Sequence, residues 1–242
     1  MNIILLIFNE GLFRPLFNGL IFLYNVIPYH DLGIAIILLT AIIRLLLYPL
    51  NQKSIKSQAA LTKIQPQIKE VQEKYKNDRV KQSQALMELY RVNGVNPASG
   101  CLPLLIQLPI LLALYRVFLS GLDPSKLSSL YSFVLRPETI NPMFLGIIDL
   151  SKVNIGLAVL AGVLTFVQTK MMQPNQTKDA GKDFSAMLNK QMTYFMPILT
   201  LLISLKLPAG LTLYWVATTL FGIGQQYLIL RKKNVARTNG DN

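Results

Sequence analysis

Apolar residues run along this chain in long blocks separated by short polar stretches. The blocks at 31–50, 100–119, 153–169, 191–207 and 211–230 each approach the roughly 20 residues that a helix needs to cross a bilayer. The pattern predicts an all-α polytopic membrane protein with five transmembrane helices. Leu207-Pro208-Ala209-Gly210 leaves room only for a turn, so spans four and five are expected to be antiparallel neighbours. Residues 120–152, with Pro124, Pro137 and Pro142, read as an irregular external loop, and 170–190 as a polar cytoplasmic loop.

Two segments lie outside these blocks. In residues 1–30, Leu12, Phe13, Leu16, Phe17, Leu20 and Tyr24 form one apolar side, with Arg14, Asn18 and Asn25 opposite. That is the pattern of a helix lying in the membrane interface, ended by Pro28. Asn9, Glu10, Arg14 and Asn18 interrupt it too often for a sixth span. Residues 51–99 carry nine Lys or Arg against four Asp or Glu. Within them Ile64, Ile68, Val71 and Tyr75 recur at helical spacing, Asn77-Asp78 breaks the run, and Leu86, Leu89 and Tyr90 continue on a second helix. A cytoplasmic helical hairpin with one narrow apolar seam is expected, and part of that seam packs on itself.

Composition narrows the function. Apolar residues make up 52% of the chain and mean hydropathy is +0.40, beyond what a soluble domain requires. One Cys, Cys101, and one His, His30, leave no Cys-based zinc site and few acid–base schemes, so no metal or cofactor is expected. The net charge of +12 sits beside apolar spans and not in a separate basic domain, which argues against specific nucleic-acid recognition. No basic n-region or small-residue cleavage site marks the start as a cleavable signal. Placing the hairpin, the second loop and the tail 231–242 on one side gathers 17 of the 24 Lys and Arg there. The positive-inside rule then puts that side in the cytoplasm and the N-terminus outside.

Within the first span stands one cation, Arg44, on a face shared with Thr40, Tyr48 and Asn51. If the helix continues to Lys53, Arg44 lies about 13 Å from that end, at 1.5 Å per residue. A guanidinium at membrane depth costs about 2.5–3.5 kcal/mol on insertion scales and marks a functional site by default. No Asp, Glu or His lies deep in any span to neutralise it. The simplest resolution is a water-filled cavity open toward the cytoplasm, lined by Gln107, Thr165, Gln168, Thr193, Thr200, Thr218, Thr219, Gln225 and Gln226, with Trp215 and Gly222 on the same side of span five. Each Thr or Gln alone is explained by interhelical hydrogen bonding; Arg44 is not. Such a cavity could pass an anion, house a catalytic site, or receive polar parts of another polypeptide. Catalysis is the weakest, since nucleophile–base pairs, carboxylate pairs and metal ligands are all missing. Ion-coupled transport lacks intramembrane acids.

AIIRLLLYPL, KIQPQIKEVQEKY, VNPASGCLPLLIQLPILLALYRV, FLGIIDLS, FVQTKMM, YFMPI and LPAGLTLYW occur in this order over residues 10–232. Together they closely resemble YidC-type membrane protein insertases, in the short form without a large periplasmic domain. The resemblance implies five core spans, a cytoplasmic hairpin that helps receive substrates, and a hydrophilic groove open to cytoplasm and lipid. It places Arg44 at the groove arginine, Gln168 at the polar groove position of the third span, and Trp215 at the aromatic position of the fifth. Residues 231–242 are shorter than the basic extension with which some relatives contact the ribosome.

The combined expectation is an insertase of the bacterial plasma membrane without bond-making chemistry. Its groove would comprise Arg44, Thr40, Gln107, Gln168, Trp215 and Thr218, and its receiving seam Ile64, Ile68, Val71 and Tyr75. Nascent membrane proteins are the expected partners, in the lipid bilayer, with the Sec translocon and the ribosome as further candidates. The apolar segment is expected to leave along the outer faces of spans three and five. The competing reading is an anion channel or carrier built on the same Arg44-lined cavity.

Overall fold

The structure, a computed structural model, describes residues 3–96, 102–121, 130–172 and 184–238. The protein is mostly helical. Helix α1 (Ile3–Phe8) runs through a π-helical turn, Asn9–Phe13, into α2 (Arg14–Val26). Ile27 takes an extended conformation ahead of Pro28, which ends the helix. Phe17, Leu20, Ile21 and Tyr24 are buried, so α2 packs into the helix assembly along most of its length. Asn18, expected on the polar side, is buried as well. Its amide donates to the Arg14 carbonyl and its oxygen accepts from the Tyr131 amide, which satisfies the burial.

The first long apolar block is bent. Helix α3 (Leu32–Leu46) and α4 (Tyr48–Lys63) meet at 68° about Leu47. Pro49 sits at the start of α4. It lacks an N–H, and its ring crowds the carbonyl four residues earlier, so a straight helix cannot pass through. The expected helix from 31 past 50 therefore does not form, and Arg44 lies three residues before the bend, not 13 Å within a straight rod. Asp31 caps α3 by accepting from the Ile34 amide and holds the Leu145 amide with its other oxygen.

Helices α5 (Gln65–Lys74) and α6 (Arg79–Val92) follow and pack on each other. Asp78 caps α6 at the Lys81 amide, and Gln82 Nε2 donates to the Gln72 carbonyl across the pair. The remaining helices are α7 (Leu102–Gly121), α8 (Ile155–Met171), α9 (Phe184–Ser204) and α10 (Ala209–Thr238). Between α7 and α8 a two-residue antiparallel ladder joins β1 (Met143–Phe144) to β2 (Ile148–Asp149), a small departure from an all-α chain. Residues 122–129, 173–183 and 239–242, parts of the expected loops and tail, fall outside the described residues.

Packing separates two ends of the assembly. Phe17, Ile21, Ala35, Ile36, Val117, Leu211 and Tyr214 join α2, the first half of α3, α7 and the start of α10 in one apolar core. The second half of α3 and the middle of α10 leave that core. Helix α9 packs along α8 and has little contact with α10, although the two are consecutive. Small residues on α8 explain this choice: Ala158, Ala161 and Gly162 are buried, and a side chain at Gly162 would press on Leu201 and the Pro197 carbonyl.

Among the described residues, Leu5–Val26 alone is an unbroken helix long and apolar enough to cross a membrane by length and composition. The bent α3–α4 pair passes the same test together, and Leu105–Phe118, Ile155–Met171 and Thr193–Ser204 are shorter apolar helices.

Candidate functional site

Below the apolar core lies a cavity of ≈ 660 Å³. Helices α3, α4, α5, α7, α8, α9 and α10 contribute to its wall. Arg44 enters from α3, Gln107 from α7, Gln168 and Thr169 from α8, Thr193 and Met196 from α9, and Trp215, Thr218, Thr219, Gln225 and Gln226 from α10. Among the described residues lining it there is no Asp or Glu.

Arg44 is half-buried and fixed. Its Nε donates to Thr218 Oγ1 at 2.7 Å, across the α3–α10 contact. None of the ion pairs among the described residues involves it. Gly222 lies one turn below Thr218 on α10, and the side-chain amide of Gln168 occupies the space where a Cβ would stand. The same Cβ would come within 4.0 Å of Arg44 Nη2. A missing side chain on α10 thus brings the α8 amide and the guanidinium to one spot. Gln107 Nε2 donates to the Tyr214 hydroxyl at 2.6 Å where the cavity meets the core.

Of the expected groove residues, Arg44, Gln107, Gln168, Trp215 and Thr218 line the cavity, and Thr40 does not. Thr40 is buried, and its hydroxyl donates to the Ile36 carbonyl of its own helix at 2.7 Å. A threonine satisfied by the carbonyl four residues back needs no wet face. Of the expected hairpin seam, Ile68 lines the cavity, Ile64 is buried beside it, and Val71 and Tyr75 are half-buried outside it.

The cavity also has a roof, of which the sequence singles out only Asn51, on the face of Arg44. Asn51, Ile55, Gln58, Leu61, Thr62 and Gln65 line the cavity from α4 and its junction with α5. Thr62 Oγ1 donates to the Met172 carbonyl at the end of α8, and Gln225 Nε2 donates to the Tyr48 carbonyl, which tie α4 over the opening. The available signal was Pro49 followed by polar residues at 51, 58, 62 and 65, spaced by multiples of a helical turn.

Helix α7 packs on α2, α4 and α10 but forms no packed interface with α8 or α9 among the described residues. Leu105, Leu108 and Leu112 on α7 and Phe195, Ile198 and Leu202 on α9 are exposed apolar side chains. Helices α8 and α10 are closely packed over Gly222 and Gln168. A second, apolar cleft of ≈ 590 Å³ lies between α3 and α10, and Arg44 and Gln225 line both it and the polar cavity.

A helical assembly with apolar outer faces around a cationic, amide-lined cavity defines a class of membrane protein that handles polar groups within an apolar surround. Comparison with known proteins gives the family. Residues 22–237 match the model of the 60Kd inner membrane protein family. A membrane protein insertase YidC of Fusobacterium nucleatum is 38% identical over 202 residues, covering 84% of this chain and 87% of the relative. That of Oceanobacillus iheyensis is 37% identical, covering 81% and 73%. That of Syntrophus aciditrophicus is 38% identical over 91% of this chain, but the match spans only 36% of that longer relative. The crystal structure of an active YidC insertase matches with a TM-score of 0.59 at 35% identity, covering 89% of this chain and 46% of that one. The chain belongs to the YidC family of membrane protein insertases, the 60Kd inner membrane protein family.

Proposed function

We propose that this protein inserts nascent membrane proteins into the bacterial plasma membrane through the Arg44 cavity, without making or breaking covalent bonds. In this reading α3, α7, α8, α9 and α10 are the five spans. The hairpin and the C-terminus face the cytoplasm, and the N-terminus faces outward. The observation that carries it is a fixed guanidinium, held by Thr218, in a polar cavity whose described lining has no carboxylate.

The physical steps are few. The hairpin, with α4 as roof, meets the incoming segment at the cytoplasmic mouth. A polar or acidic stretch enters the cavity, where solvent and amides replace bulk water. Two unit charges about 4 Å apart attract by about 4 kcal/mol at an effective dielectric of 20, against about 1 kcal/mol in water. That offsets much of the cost of drawing a carboxylate below the headgroups. The apolar part of the substrate leaves along the outer faces of α8 and α10, where Leu160, Val163, Leu220 and Phe221 are exposed, driven by burial of its side chains at about 25 cal/mol per Å². The Sec translocon and the ribosome are candidate partners in delivery.

The competing reading, an anion channel or carrier, uses the same charge and is separated by experiment. Purified protein in liposomes is expected to integrate a small single-span substrate with an acidic external tail and to show little anion flux. Arg44→Glu is expected to impair acidic-tailed substrates more than neutral ones. Equal loss for both tails would assign Arg44 a structural role, and anion flux without integration would favour the channel.

A further inference from the structure

Two buried amides in the cavity wall lack protein partners. Among the described residues, nothing accepts from Asn51 Nδ2 and nothing donates to Gln226 Oε1. Asn51 is 9% exposed and Gln226 6%, and both line the polar cavity. They come from different helices, α4 and α10, which the Gln225–Tyr48 hydrogen bond fastens together at 3.2 Å. A buried polar atom left unpaired costs about 1–3 kcal/mol, and an apolar side chain of similar shape would avoid that cost. One free donor and one free acceptor in the same wall are the complement of one residue of an extended chain, whose C=O accepts and whose N–H donates toward the same side.

We propose that Asn51 and Gln226 bind the main chain of an incoming polypeptide, so that the cavity recognises an unfolded segment by its backbone. The proposal rests on the insertase reading of this cavity and specifies what the cavity grips. The spacing supports it. Thr218, which holds Arg44, precedes Gln226 by eight residues on α10, about 12 Å at 1.5 Å per residue. An extended chain covers that distance in three to four residues, at about 3.3 Å each. A carboxylate on Arg44 and the main-chain N–H and C=O of one residue on the amide pair can therefore belong to one extended tail. A helical segment has its peptide groups already bonded and gains nothing at this site. The pair thus retains extended polar tails and leaves helical apolar segments free to depart into lipid.

The test uses the full-length protein and synthetic single-span substrates whose tails are acidic, neutral, or neutral with amides replaced by esters. Binding of the tails to detergent-solubilised protein is measured beside insertion into liposomes and thermal unfolding. Asn51→Leu/Gln226→Met is expected to weaken acidic and neutral amide tails alike, by about two- to tenfold per hydrogen bond lost. Its unfolding temperature is expected to be equal to or above wild type, because an unpaired buried group is gone. Wild type is expected to bind the ester tail less well than the amide tail, and the double variant to bind both equally. Wild-type binding and insertion by the double variant, or no preference for amide over ester, would overturn the proposal. So would a fall in unfolding temperature that accompanies the loss, since that assigns the pair to the fold. If wild type prefers amide tails yet inserts nothing, the insertase reading fails and the backbone site stands.

Discussion

Gly222 and Gln168 share one volume: a methyl group on α10 at position 222 would overlap the side-chain nitrogen of Gln168 on α8. Gly222→Ala must therefore move that amide. Gln168 is long and its end can swing into the cavity, so the stability loss is expected near the lower end of the 1–3 kcal/mol typical of overpacking, about 1 kcal/mol. The amide leaves the neighbourhood of Arg44, and insertion of acidic-tailed substrates is expected to fall several-fold. Thermal unfolding of Gly222→Ala, Gln168→Ala and the double variant checks the cause. With the amide absent, the added methyl should have no effect, a non-additivity expected of groups in direct contact.

Thr218 gives Arg44 its resolved acceptor, at 2.7 Å. Thr218→Val keeps the shape and removes the oxygen. A hydrogen bond to a charged group contributes about 1.5–3 kcal/mol, so the unfolding temperature is expected to fall, and the unheld guanidinium to lose part of its preference for acidic tails. Thr218→Ser restores the hydroxyl without the methyl. Comparing insertion of acidic and neutral tails across these two variants decides the matter: equal behaviour of Val and Ser would show that the hydroxyl does not position Arg44.

Much of this site is legible in the chain because a lone charge in an apolar run has few explanations. Arg44, Gln107, Gln168, Trp215 and Thr218 stand out for that reason. Thr40 misleads, since a helical hydroxyl bonded to its own Ile36 carbonyl looks the same in sequence as one facing water. The roof is hidden by a boundary effect. Pro49 follows directly on an apolar run, so the run reads as one span while the backbone turns at Leu47. Residues 51–65, set apart as the start of a cytoplasmic hairpin, then fold back over the cavity. Consecutive order misleads again at α9, whose neighbour is chosen by the small residues of α8 and not by the short turn to α10.

The 68° bend at Leu47 lays α4 across the cavity, and Pro49 is its covalent cause. Pro49→Ala restores a backbone N–H able to reach the carbonyl four residues back and relieves the ring clash. The bend is expected to open toward a straight helix, which lifts Asn51 and Ile55 from the wall. Spin labels at the exposed positions Lys56 and Tyr227 are expected to show a longer and broader distance distribution in the variant than in wild type. An unchanged distribution would mean that the Gln225–Tyr48 and Thr62–Met172 bonds, and not proline, set the angle.

Asp149, in β2 between α7 and α8, gives the fold a dependence on acid. Its carboxyl is held at about 2, below an ordinary 3.8, first by the Ser151 hydroxyl, then by Lys152 and the Ser151 amide. Lys152 Nζ lies 3.0 Å away. The next residues anchor α10: the Leu150 carbonyl accepts from the Gly210 amide and the Lys152 carbonyl from the Ala209 amide. Because the folded pKa is depressed, the unfolded loop binds the proton more readily. The stabilising contribution is therefore complete above about pH 4 and is lost as pH falls from 3.8 toward 2. Hydrogen exchange at the Ser151, Ala209 and Gly210 amides, corrected for the intrinsic rate, is expected to show protection declining across that window. Asp149→Asn cannot ionise and is expected to flatten the dependence, with lower protection at neutral pH. Retention of the full pH dependence in that variant would assign the acid response to another carboxylate.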